Sequence, residues 1–246
     1  MTQLKQGEQI EDLQYKGLKI IQSADGYRFT TDAVLLANFV RGVKNKRIVE
    51  IGLGSGVIAT LVAAKQHPAS VVGIEILPKM ADMAARSIEI NGLCDVIKVV
   101  CADARGIHKT LGGGFDAVIV NPPYRKAGSG ERQADDDIAV CRHEIKLTLD
   151  DVFLESSKLL KFGGNLFLVH QAERFASACA TADKHGLKAK EVSLVYPRAG
   201  ATPNLFLVKF TFGGKDGLKW LPPVTVFDND GNYTTTIKKL YGESFD

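Results

Sequence analysis

From Arg47 onward the chain alternates short apolar runs with amphipathic stretches. "RIVEIG" gives way to "VIATLVAAKQ", and "SVVGIEI" to "PKMADMAARSIEING". "VIKVVCAD" is followed by a short link, then "FDAVIV" and a long loop. "DDVFLESSKLLKFGG" spaces Val152, Phe153, Ser156, Leu159 and Leu160 at helical intervals, with Gly163 placed to cap the helix C-terminus. "NLFLVHQ" is a fifth strand-like run and "AERFASACATADKHG" its helix. Runs that are apolar at nearly every position are strands covered on both faces, and strands joined through helices pair in parallel. "AKEVSLVYP" and "NLFLVKFTF" are separated only by "RAGATP", and a direct loop joins antiparallel neighbours. The pattern predicts an α/β fold with a doubly wound, mostly parallel sheet of at least seven strands. Helices lie on both faces, and one strand near the C-terminus is antiparallel.

The flanks read differently. "LQYKGLKIIQ" predicts a hairpin about Lys16-Gly17, and "TTDAVLLANFV" a helix capped by Thr30 or Thr31 with Val34, Leu35 and Phe39 as its stripe. The tail "LPPVTVFDNDGNYT" carries turn chemistry at Asp230-Gly231 and is followed by "TTIKKLYG". One domain is expected, with residues 1–45 as hairpin and helix, 46–212 as the ligand-binding core and 213–246 as a C-terminal extension.

Composition narrows the function classes slightly. With 246 residues, 45% hydrophobic and 24% charged, the chain has the make-up of one sizeable globular domain. A net charge of +3 does not describe a strongly basic nucleic-acid binder, so any basic surface is local. Cys94, Cys101, Cys141 and Cys179 form no C-x-x-C and read as buried or partly buried free thiols of a reducing compartment. No apolar run approaches the roughly 20 residues that span a bilayer, and "MTQLKQGEQIEDLQYKG" has no apolar signal core. A cytoplasmic protein without a membrane partner or a metal is expected.

The chemistry gathers at strand ends. "VEIGLGSGV" closes one strand and opens a helix, and Gly52, Gly54 and Gly56 make a tight turn that a ligand can approach closely. The spacing is G-x-G-x-G, unlike the G-x-G-x-x-G of dinucleotide folds, and no lysine follows as in an NTP-hydrolysing P-loop. Glu50 precedes the glycines, Glu75 ends the next strand where it can accept from two ribose hydroxyls, and Asp103 follows the third where it can accept from an adenine amino group. In "NPPY" the prolines stop the strand ending at Val120. The Asn121 side-chain oxygen and the Pro122 carbonyl can accept from the two N–H groups of a planar amine. Pro123 stiffens that carbonyl, and the Tyr124 ring can stack on the flat face of the substrate.

With "EIGLGSG", the acid of "GIEI", "CAD" and "NPPY", the sequence resembles the class I S-adenosylmethionine-dependent amino-methyltransferases, which have a Rossmann-like fold. "FTTDAVLLANF", "CRHE", "LLKFGGNLFLVH", "PRAGATPNLFLV" and "LPPVTVFDNDGNYT" are similar to segments of the bacterial tRNA1(Val) adenine-37 N6-methyltransferases. The resemblance implies S-adenosylmethionine as cofactor, with Glu50 at the methionine amine, Glu75 on the ribose and Asp103 on the adenine. It places Asn121 to Tyr124 around the target amine, with Asn121 also bordering the cofactor and Asp32 near the methionine end. A tRNA partner follows, with N6 of adenine 37 as the methyl acceptor. Arg125, in the loop after NPPY, and Arg198, in "PRAGATPN", are candidate substrate contacts, with Lys126, Arg132, Arg142 and His143 as further polar groups of the first loop. An unpaired loop base is cheap to splay out, which favours RNA over duplex DNA.

Three alternatives remain open. NPPY also serves enzymes that methylate a glutamine of release factors, but these carry an N-terminal helical substrate domain, for which the residues before the first core strand are too few. Methylation of guanine N2 in ribosomal RNA keeps the chemistry on another base. A catalytically silent RNA-binding scaffold would not need its glycines, acids and NPPY intact.

Overall fold

The computed structural model describes residues 4–24, 29–122 and 147–242. Its central strands alternate apolar side chains between two covers. In β3 (Arg47–Ile51) Ile48 joins one buried cluster while Val49 and Ile51 join the other. In β6 (Phe115–Val120) Ala117 and Ile119 alternate with Val118 and Val120, and in β7 (Leu160–Gln171) Phe167 and Val169 alternate with Leu166 and Leu168. Helices α1 (Thr31–Phe39), α2 (Val57–Gln66) and α3 (Pro78–Ile90) supply Leu36, Leu61 and Ile88 to the first cluster. The one-turn helix α4 (His108–Leu111) lies in the link before β6, and α5 (Leu149–Leu159) and α6 (Phe175–Lys184) bury Val152 and Ala178 in the second cluster.

The strands run in the order β5 (Ile97–Cys101), β4 (Ser70–Glu75), β3, β6, β7, β9 (Leu205–Phe212), β8 (Leu187–Arg198). All are parallel except β9, which is antiparallel to both neighbours. This is the expected seven-stranded sheet with its single reversed strand. Two short strands extend it: β10 (Lys219–Trp220) and β11 (Val224–Phe227) both pair in parallel with β8, making nine. After β11 the chain turns at Asp228, whose carboxylate accepts the N–H groups of Asp230 and Asn232. It then forms α7 (Thr235–Leu240), which seats Ile237 in the α1–α2 cluster.

Several expectations are corrected. The hairpin pairs β1 (Glu8–Asp12) with β2 (Lys19–Ser23), so its first strand precedes "LQY" and a longer loop carries Lys16 and Gly17. It is held from outside: Arg86 of α3 donates to both carboxylate oxygens of Glu8 at 2.7 and 2.5 Å, and Ser87 accepts the Ile21 N–H at 2.9 Å. Thr30 occupies the cap position of α1 without a side-chain capping bond, and the Thr31 hydroxyl lies 3.2 Å from the Tyr233 hydroxyl instead. Nearly the whole circumference of α1 is buried, so packing rather than a cap holds it. Gly163 does not cap α5. That helix ends at Leu159 and runs straight into β7, and Gly163 (φ +76°) sits in a bulge, where the register jumps from Phe115↔Leu160 to Ala117↔Asn165. Cys94 and Cys101 are exposed because one lies in the turn after α3 and the other ends the edge strand β5; Cys179 is half-buried and Cys141 lies outside the described residues. Among the described residues no helix is long and apolar enough to cross a membrane.

Candidate active site

Parallel pairing aligns the strand ends that carry the candidate residues. Ile51 is in register with Ile74 and with Val120, Glu75 with Cys101, and Val120 with Leu168. Glu50 therefore lies just before the carboxyl edge. Glu75 reaches that edge, and Asp103 and Asn121 stand just past it. They occupy four adjacent strands, β5-β4-β3-β6, so the row spans about 14 Å at a strand spacing near 4.8 Å.

Gly52, Gly54 and Gly56 all adopt left-handed backbone, with φ of +76°, +58° and +88°. Side-chain-bearing residues disfavour this conformation, so the turn from β3 into α2 depends on glycine. Glu75 holds the turn by accepting the Gly54 N–H at 2.8 Å through one carboxylate oxygen, while the other accepts the Leu77 N–H at 2.9 Å. Gln22 of β2 supports it from behind, donating to the Ser55 hydroxyl at 3.0 Å. Gln22, Ser55, Glu50 and Glu75 are all buried.

Glu50 is a carboxylate almost wholly removed from water, and its Oε2 has no hydrogen-bond partner. Burial pushes its pKa well above the ordinary glutamate value, the Ala59 N–H at the start of α2 opposes this, and the charge of Glu75 reinforces it. An orphaned acceptor beside the glycine turn fits a ligand that brings a cationic donor.

Asp103 is placed as expected but is already engaged. Its Oδ1 accepts the Arg105 N–H at 2.9 Å, and the Arg105 guanidinium folds back onto both carboxylate oxygens. Arg105 holds the Asp103 pKa below its usual value. A carboxylate has about four acceptor sites, so a ligand amino group can still join this pair. Asn121 is half-buried and Pro122 buried. Pro123, Tyr124 and Arg125, like Lys126, Arg132, Arg142 and His143, lie outside the described residues. Arg198 is exposed at the carboxyl end of β8, in register with Phe227 of β11. Three strand spacings, about 14 Å, separate it from β6, so it stands apart from the acidic row. Asp32 lies in the first turn of α1 and adds its charge to the surroundings of the buried Tyr241 hydroxyl. No group of three metal-ligating side chains is assembled among the described residues.

Two further residues bear on the site, and both left a trace in the sequence. Gly73 sits inside β4 opposite Glu50, and a Cβ there would lie 2.5 Å from the buried Leu53 side chain of the glycine turn. A glycine within a strand run marks such a close approach. Gly73→Ala is expected to destabilise the fold by about 1–3 kcal/mol through overpacking and to weaken ligand binding at the turn. Thermal unfolding and calorimetry check this, and a variant with wild-type melting would contradict the packing account. His170 closes the apolar run of β7, two residues beyond Leu168, which is in register with Val120 of β6, and it pairs with Phe206 of β9. Its Nδ1 accepts the Gln171 N–H at 2.8 Å and its ring stacks on Phe206. Burial, aided by the nearby Arg174 charge, lowers its pKa to about 4, so the ring is neutral at physiological pH.

Strand order, glycine turn and acidic strand ends define a class I methyltransferase fold. A crystal structure described as a predicted O-methyltransferase from Agrobacterium tumefaciens superposes with a TM-score of 0.68 at 25% identity, covering 85% of this chain and 95% of that one. The family model "Methyltransferase small domain" matches residues 23–181. A tRNA1(Val) (adenine(37)-N6)-methyltransferase of Bacteroides fragilis is 30% identical over 204 residues, 82% of this chain and 85% of the relative. One from Photobacterium profundum is 26% identical over 201 residues, 80% and 82% of the two chains. The chain belongs to the methyltransferase small domain family and, within it, to the tRNA1(Val) (adenine(37)-N6)-methyltransferases.

Proposed function

We propose that the protein transfers a methyl group from S-adenosylmethionine to the exocyclic N6 of an adenine in tRNA, adenine 37 of the anticodon loop. The observation that carries this reading is the alignment of Glu50, Glu75, Asp103 and Asn121 at the carboxyl ends of four adjacent parallel strands. Their donor and acceptor chemistry fits the cofactor. Glu50, with its orphaned oxygen, would receive the methionine ammonium, Glu75 the ribose hydroxyls and Asp103 the adenine amino group, while Gly52, Gly54 and Gly56 leave room for close approach. When bound, the cofactor supplies an electrophilic methyl group on a sulfonium.

The chain's own residues orient the acceptor. Asn121 and the Pro122 carbonyl offer two hydrogen-bond acceptors, which match the two N–H groups of a primary amine, whereas a hydroxyl acceptor has only one hydrogen. Fixing the amine in this way places its nitrogen in line for transfer, so the contribution is mainly positional. The amine proton leaves once the nitrogen carries the methyl group, and a strong base is not required. Tyr124 would stack on the base, and Arg125 and Arg198 would meet tRNA phosphates or bases beyond it. A cytoplasmic location accords with such a substrate. Incubation with S-adenosylmethionine and unmodified bulk tRNA, followed by nucleoside mass spectrometry, tests the reading. N6-methyladenosine is the expected product, and N2-methylguanosine would redirect the reading to another base.

Glu50 gives a pH prediction. Its folded-state pKa is raised, so the folded chain holds this proton more tightly than the unfolded chain. Its contribution to stability is complete below the ordinary glutamate pKa of about 4.3 and is lost as pH rises through the folded-state value. Ligand-free Glu50→Gln is therefore expected to lose less stability than wild type on going from acidic to neutral pH. A methionine ammonium at Glu50 favours the carboxylate, so cofactor binding releases a proton wherever the free protein holds Glu50 protonated. Calorimetry in two buffers of different ionisation enthalpy reads this release. Equal proton release in wild type and Glu50→Gln would contradict the assignment.

A further inference from the structure

Helix α5 buries a carboxylate that the site described above does not use. Glu155 is 4% exposed, and glutamate is seldom buried this deeply without partners. Its partners all lie in the loop that follows Asp103. Oε1 accepts the Gly106 N–H at 2.7 Å, and Oε2 lies 2.8 Å from His108 Nδ1 and 3.5 Å from the His108 N–H. At its other end the loop is closed by Asp103, which accepts the Arg105 N–H and holds its guanidinium. Between these ties Ala104 and Ile107 are buried in the same cluster as Val152 and Phe153 of α5. Asp151, one helical turn before Glu155, adds its charge to the field at Arg105. The segment 103–108 is thus clamped by two carboxylates, one its own and one delivered from a helix 47 to 49 residues further along the chain.

A buried apolar side chain would pack α5 against the second cluster without the cost of dehydrating a charge. The carboxylate does something an apolar group cannot do: it fixes the direction of the Gly106 N–H and holds the His108 ring, and with them the path of the loop. We propose that Glu155 is a positioning residue for the cofactor, holding the 103–108 loop in the shape that presents Asp103 to the adenine. This rests on the reading above that Asp103 meets the adenine.

The test is a double-mutant cycle on cofactor affinity, read by calorimetry with S-adenosylmethionine. Glu155→Gln keeps the volume and loses the charge. It is expected to weaken cofactor binding about tenfold while leaving kcat at saturating cofactor and the affinity for tRNA unchanged. Because Glu155 acts through Asp103, combining it with Asp103→Ala is expected to bind no more weakly than Asp103→Ala alone. A purely structural Glu155 would lower the melting temperature while its effect on affinity was absent or simply added to that of Asp103→Ala; either result overturns the inference. If Glu155→Gln does not fold, His108→Ala on the half-exposed side of the same contact takes its place. A severalfold loss of cofactor affinity is then expected, and unchanged affinity overturns the inference. Wild-type protein that binds no S-adenosylmethionine would overturn both this inference and the functional reading; wild-type binding with unaltered variants would overturn the inference alone.

Discussion

Asn121→Ala is expected to lower the rate of methyl transfer roughly 10²- to 10³-fold, the usual effect of removing one preorganised polar group from a reacting centre, while leaving the affinity for S-adenosylmethionine unchanged. The division follows from the strand order. The residues assigned to the cofactor lie on β5, β4 and β3, whereas Asn121 stands past the end of β6 on the side of β7, β9 and β8. In the proposed arrangement substrate approaches from that side, and the amide is assigned to the acceptor amine. The replacement leaves Pro122 to end the strand, so the sheet edge keeps its path. Single-turnover methylation of tRNA gives the rate and calorimetry the affinity. Equal loss of both would mean that Asn121 holds the cofactor and not the amine.

Glu75→Ala is expected to show the opposite split. Its carboxylate is assigned both ribose hydroxyls, and charge-assisted hydrogen bonds of this kind contribute about 3 kcal/mol together, or roughly 10²-fold in affinity. The same carboxylate fixes the Gly54 and Leu77 N–H groups, so its removal also loosens the turn that the cofactor must approach. Glu75→Gln keeps acceptor capacity on one side and is expected to lose less than Glu75→Ala. Calorimetry measures both. Unchanged affinity in Glu75→Ala would refute the ribose assignment.

Much of this arrangement is written in the chain, for identifiable reasons. β3, β4, β6 and β7 are covered on both faces, so their apolar runs announce a parallel sheet without ambiguity. The glycine turn, the acids and Asn121 are legible because they interrupt those runs at one end. The first hairpin strand is not legible: "EQIED" has a single apolar residue, and it becomes a strand because Arg86 and Ser87 of α3 hold the hairpin. β10 and β11 are two and four residues long, bracket a Pro-Pro pair, and exist only as additions to β8. Gly163 has the left-handed backbone that its sequence context implies, but in a strand bulge instead of a helix end. The clamp of Glu155 on Gly106 and His108 joins residues 47 to 49 apart, and no local pattern encodes it.

The most direct test of the central claim uses a synthetic anticodon stem-loop with adenosine at position 37, its counterpart with guanosine there, and labelled S-adenosylmethionine. One methyl group per molecule of the first RNA is expected, recovered as N6-methyladenosine at position 37, and none on the second. Equal labelling of both RNAs, or no labelling of either while calorimetry shows the cofactor bound, would contradict the claim.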